Sequence, residues 1–272
     1  MSDQVHYGST GKPHPFHIVT PSPWPMLVSF AAGGTAYAAV TYFHDHLLWP
    51  LLLAACFLIG FSALWFRDII REATFRHEHT KIVKIGLRYG MLLFIASEVM
   101  FFAAFFWAFF DNALFPKDAI GNVWPPKEIH PVDPFDLPFL MTMILLLSGC
   151  TVTWAHSALI SGNQRDTVRG LLATVLLGCA FTGFQAYEYV HAHFGFKETV
   201  YASTFYMATG FHGFHVIIGT IFLAVCLFRA KRGDFKPNDH FGFEAAAWYW
   251  HFVDVVWLFL FVAVYWYGGY RG

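Results

Sequence analysis

Charge is scarce in this chain. Only 13% of its 272 residues are Asp, Glu, Lys or Arg, about half the share of an ordinary soluble domain. So few charges cannot cover the surface of a soluble globule of this length. A basic excess is missing too: 17 Lys and Arg stand against 18 Asp and Glu, which argues against nucleic-acid binding. Cysteine is sparse, and Cys56, Cys150, Cys179 and Cys226 form no C-x-x-C pair. Redox and zinc motifs of that type are therefore absent, and each thiol reads as buried and inert within its apolar run. The chain has no phosphate-binding glycine loop, no nucleophile elbow, no fixed-period repeat and no low-complexity tract. Residues 1–25 lack the pattern of a signal peptide.

Apolar residues are abundant: 57% of the chain is hydrophobic and 20% aromatic, with 32 Phe. That balance excludes intrinsic disorder and points to a lipid bilayer as solvent. A helix needs about 20 mostly apolar residues to cross about 30 Å of hydrocarbon. Seven segments qualify, near 26–43, 47–66, 89–110, 137–160, 170–194, 200–228 and 243–267. Bare backbone polar groups are not tolerated in lipid, so these are helices; the short alternating strands of a membrane barrel are missing. The expected fold is an all-α polytopic membrane protein. Residues 1–272 form one transmembrane domain: an N-terminal segment 1–25, a two-helix hairpin 26–66, a basic loop 67–88, and a bundle over 89–267. Ala31-Ala32-Gly33-Gly34 suits close helix contact, and His44-Asp45-His46 allows only a tight turn. The proline-rich stretch 111–136 reads as an ordered loop over the third and fourth helices.

Basic residues give an orientation. Seven crossings put thirteen of the 17 cations on one side, among them Arg67, Arg71, Arg76, Lys81, Lys84, Arg88, Arg229 and Lys231. Positive charge stays inside, so the N-terminus faces the cytoplasm or matrix and the C-terminus the other side. Arg71, Arg229 and Lys231 lie at the depth of lipid phosphates, where Arg binds bidentately. Ordinary positive-inside charge explains most of this cluster.

Ionisable groups inside a membrane are functional candidates by default. Glu98 is the sharpest, in mid-helix with no Lys or Arg in its span. Its carboxyl is either protonated or bonded to another helix. Proton carrying or headgroup binding and a plain packing contact carry equal weight. Glu188, His212, His215, His251 and Asp254 read as interhelical polar contacts. His251 and Asp254, three apart, share a face and could bond. His212 and His215 could point two imidazoles at one metal, but further ligands are not evident, so no metal site is expected. His77 and His79 read as solvated at the interface rather than metal-bound.

Several long segments resemble the cytochrome c oxidase subunit III family. They are Phe241–Leu260, Ala208–Gly219, Gly86-Leu87-Arg88-Tyr89-Gly90, Ser97-Glu98-Val99-Met100-Phe101-Phe102 and Thr153-Trp154-Ala155-His156. The resemblance runs from about residue 20 to the end. It implies seven helices in two bundles, the first two and the remaining five, with a V-shaped cleft that holds phospholipid. By position, Trp65, Arg71, His79, Glu98 and Arg229 resemble residues lining that cleft, and Phe66 stands where the family often has a second Trp. The resemblance implies no catalytic centre, haem or copper on this chain. Those cofactors belong to partner subunits I and II, which take electrons from cytochrome c. The implied role is to support subunit I, its lipid environment and its proton uptake, in a bacterial plasma (inner) membrane or a mitochondrial inner membrane. Histidines near the N-terminus, His14 and His17, are candidates for a proton-uptake surface, since imidazole titrates near neutral pH. Three rivals are a stand-alone proton channel using Glu98, a haem-binding subunit using His156, His212 or His215, and subunit III of a quinol oxidase.

Overall fold

The computed structural model describes residues 6–7, 13–14, 16–17, 19, 21–76 and 78–269. The chain divides into two compact units, residues 1–87 and 88–272.

In the first unit, strands β1 (His6–Tyr7) and β2 (Pro13–His14) form a short antiparallel ladder, with His6 opposite His14. Helices α1 (Trp24–Asp45) and α2 (Leu48–Thr74) follow, and α3 (Lys81–Leu114) begins here. Pro25 sits near the start of α1, where its missing N–H costs nothing. The tight turn is built on His46 in the left-handed conformation, whose N–H returns to the Tyr42 carbonyl. The two helices pack together. Of the run Ala31-Ala32-Gly33-Gly34, Ala31 is buried, whereas a Cβ added at Gly33 or Gly34 would meet nothing within 4 Å. Ala31 and Ala38 are the buried residues of α1; seven apart, they repeat on one face of the helix. Beyond α1, Trp24 Nε1 donates to Asp68 Oδ2 at 2.6 Å and fixes the start of α1 to α2.

The second unit continues α3 and adds α4 (Leu137–Ile160), α5 (Gln164–His191), α6 (Val200–Arg232) and α7 (Phe241–Leu260). A wider π turn over Phe261–Tyr267 prolongs α7. Packing runs α4 to α5, α5 to α6, α6 to α7 and α7 back to α4. Hence, among the described residues, seven helices are long and apolar enough to cross a membrane.

Several helices outrun their apolar windows. The stretch 67–88 is mostly helix, with only 75–80 connecting α2 to α3. Hydropathy marks where lipid ends; hydrogen bonding decides where helix ends. Capping supplies two of the other boundaries. Asn163 accepts from the Asp166 N–H ahead of α5, and Thr199 from the Ala202 N–H ahead of α6. Gly233, with φ +77°, ends α6 in the left-handed turn that suits glycine.

The core of this unit is aromatic. Trp250, Trp257, Phe181, Phe205, Tyr201 and Tyr265 are fully buried. The connection 115–136 holds a 3-10 turn at Asp118–Ile120, and Trp124 packs edge-on against Phe109. Only one thiol matches the expectation of burial: Cys226 is buried, whereas Cys56, Cys150 and Cys179 are exposed. In lipid an apolar run need not face protein, because hydrocarbon is an equally good neighbour for a weakly polar thiol.

Candidate functional site

Glu98 lies on α3, and α6 supplies its partner. His215 Nε2 is 2.8 Å from Glu98 Oε2, and His215 Nδ1 is 2.6 Å from the Phe211 carbonyl. A carbonyl only accepts, so Nδ1 carries the proton. Two arrangements then satisfy the pair: a carboxylic acid donating to neutral imidazole, or imidazolium donating to carboxylate. Both are neutral overall, which an apolar setting requires. Phe101 and Phe102 pack around the imidazole, with ring centroids 6.1 and 5.0 Å away. The His215 side chain keeps only 7% of its surface exposed.

This geometry makes a prediction. Glu98→Gln keeps a donor for His215 and should change stability little. Glu98→Ala strands a buried nitrogen and should cost about 1–3 kcal/mol. Titration with a denaturing detergent would separate the two variants; equal losses would mean the hydrogen bond is not what holds α3 to α6.

Other polar groups, all buried except the half-exposed His251 and the exposed Thr153, also bridge helices. Tyr265 donates to Glu188 Oε2 at 2.8 Å. His212 Nε2 is 3.2 Å from the Val253 carbonyl. His251 Nδ1 lies 3.5 Å from Asp254 Oδ2, and its Nε2 lies 3.2 Å from Thr153 Oγ1. Two contacts drew no notice in the sequence. Arg88 grips Glu244 of α7 with two nitrogens, at 2.9 to 3.2 Å. His156 and His240 face each other at 3.2 Å. These pairs lie 156 and 84 positions apart, beyond any local pattern.

The cationic and aromatic candidates fall in both units. Trp65 is half-buried on α2, and the Phe66 beside it is 65% exposed. Arg71 is exposed in the last turn of α2, 4.0 Å from Asp68 Oδ1. Arg229, half-buried in the last turn of α6, lies 3.9 Å from Asp234 and 4.5 Å above the Phe235 ring. Lys231 is exposed in the same turn. His79 is half-buried just before α3, with its ring 6.0 Å from that of His17. His17 differs from an open proton-uptake surface: its side chain is 9% exposed and its Nε2 lies 2.7 Å from Glu78. The side chain of His14, and all of Lys12, His77 and Arg271, lie outside the described residues.

An aromatic core and, among the described residues, seven helices long and apolar enough to span a bilayer mark an integral membrane protein. The sequence profile of cytochrome c oxidase subunit III matches residues 14–269. Cytochrome c oxidase subunit 3 of Prototheca wickerhamii is 58% identical over 258 residues, covering 94% of this chain and 98% of that protein. The Drosophila yakuba protein of the same name is 54% identical over 261 residues, covering 96% and 100%. That of Arabidopsis thaliana is 54% identical over 258 residues, covering 94% and 97%.

The chain belongs to the cytochrome c oxidase subunit III family. It is a component of the oxygen-reducing complex and is not itself catalytic, and the family carries no cofactor of its own. A stand-alone proton channel and a quinol-oxidase subunit are not favoured by this match. Of the histidines in the haem-ligand reading, His156 Nε2, His212 Nε2 and both nitrogens of His215 are engaged with other protein groups, while His212 Nδ1 is buried without a hydrogen-bond partner.

Proposed function

We propose that the chain holds structural phospholipid for the oxidase and so supports subunits I and II, which carry the haem and copper and receive electrons from cytochrome c. One observation carries the lipid reading. Arg71 and Arg229 each occupy the last turn of a spanning helix, where the chain leaves hydrocarbon and meets phosphate. A guanidinium there can bind a phosphate with two donors. Trp65, His79, Lys231 and Glu98 join them as candidate lipid contacts. An apolar groove lined by Val99, Phe102, Phe106, Phe110, Phe252 and Phe259 suits an acyl chain. Cation placement favours an N-terminus on the cytoplasmic or matrix side of an inner membrane. Held lipid would keep the proton-uptake face of subunit I ordered during turnover.

The test is phospholipid content. The oxidase carrying Arg71→Ala and Arg229→Ala, washed in mild detergent, should retain at least one phospholipid fewer per complex by mass spectrometry. Unchanged retention would remove the reading.

A further inference from the structure

We propose that His17, Glu72 and His79 form a binding site for a divalent transition-metal ion, of which Zn²⁺ is the best match. These residues come from three separate pieces of the first unit: the segment ahead of α1, the last turns of α2, and the connection before α3. Their donor atoms nevertheless lie within 4.8 Å of one another. All three side chains are half-buried rather than splayed into solvent.

The donor chemistry selects the ion. Two imidazoles and one carboxylate are borderline donors, which suit Zn²⁺ and its transition-metal neighbours; Mg²⁺ and Ca²⁺ prefer oxygen alone. Zinc sites take such His₂Glu sets with bonds of about 2.0–2.2 Å. Tetrahedral angles then put donors about 3.3 Å apart, so small side-chain rotations would close the cluster on an ion. Glu78, whose Oε2 lies 2.7 Å from His17 Nε2, is placed to serve as the carboxylate that orients a ligating histidine. Such an ion would pin the segment before α1 to the connection between α2 and α3. This departs from the expectation of a solvated His79, because sequence distance hid its neighbour: His17 is 62 positions away in the numbering.

The experiment is a zinc titration of the intact oxidase, after chelator treatment, against a competing zinc dye. Wild-type complex should show a site that weakens at least about tenfold in Glu72→Gln and in His79→Ala. His130→Ala, an exposed histidine elsewhere, should leave it unchanged. The haem spectrum of each variant reports whether the complex assembled. If His79→Ala fails to assemble, Glu72→Gln alone decides. Equal affinity in wild type and variants overturns the site. Binding that survives delipidation but falls in the variants assigns it to these side chains.

Discussion

Replacing Trp250 by Ala should destabilise the five-helix unit by about 3–5 kcal/mol, the range for emptying a large aromatic site. The indole is fully buried and donates to Ser148 Oγ at 2.8 Å, joining α7 to α4. Two glycines make room for it. A Cβ at Gly178 of α5 or Gly219 of α6 would fall 2.9 or 2.8 Å from the ring. Trp250 thus touches three other helices, and in lipid that packing is the main source of helix association. Denaturing-detergent titration of the purified protein checks the value. Trp250→Phe should lose much less, since it keeps most of the packing and gives up the hydrogen bond.

Gly170→Leu should cost a comparable amount, about 3 kcal/mol, at the upper end for overpacking. A Cβ at Gly170 would lie 2.8 Å from the Ala155 Cβ and 3.1 Å from its backbone N and Cα. Side chains can rotate away from a new methyl, but backbone cannot. The only relief is to part α4 from α5 along their shared face. Gly170→Ala should fall between leucine and wild type, which turns the series into a measure of helix separation. The same titration applies, and a neutral leucine variant would show that α4 and α5 do not approach this closely.

Much of this was legible in the chain. The count of seven helices follows from hydropathy, because apolar length is a property of each segment alone. His251 and Asp254 could be paired from sequence for the same reason: three residues apart on a helix, they must share a face. What could not be read is whatever depends on distant partners. Glu98 advertised the need for a hydrogen bond but not its giver, since His215 is 117 positions away. Arg88 looked like one more inner-loop cation until α3 reached back to Lys81 and made it a helical residue facing Glu244. Of the run Ala31-Ala32-Gly33-Gly34, Ala31 is buried but Gly33 and Gly34 are open. A small-residue run marks where helices can approach, not where they do. The proposed lipid role of Trp65, Arg71, His79 and Arg229 rests mainly on resemblance, since a cation near a helix end is common whatever it binds.

The bareness of the first two helices has a consequence for how the protein comes apart. α2 has no buried residue and α1 only Ala31 and Ala38, whereas α7 buries most of its length. Cooperative unfolding follows contact density. The helical hairpin is therefore a separate foldon with little of its own to resist opening. Its integrity is borrowed from whatever lies against its outer faces, so depleting the bilayer would release it long before the aromatic bundle yields.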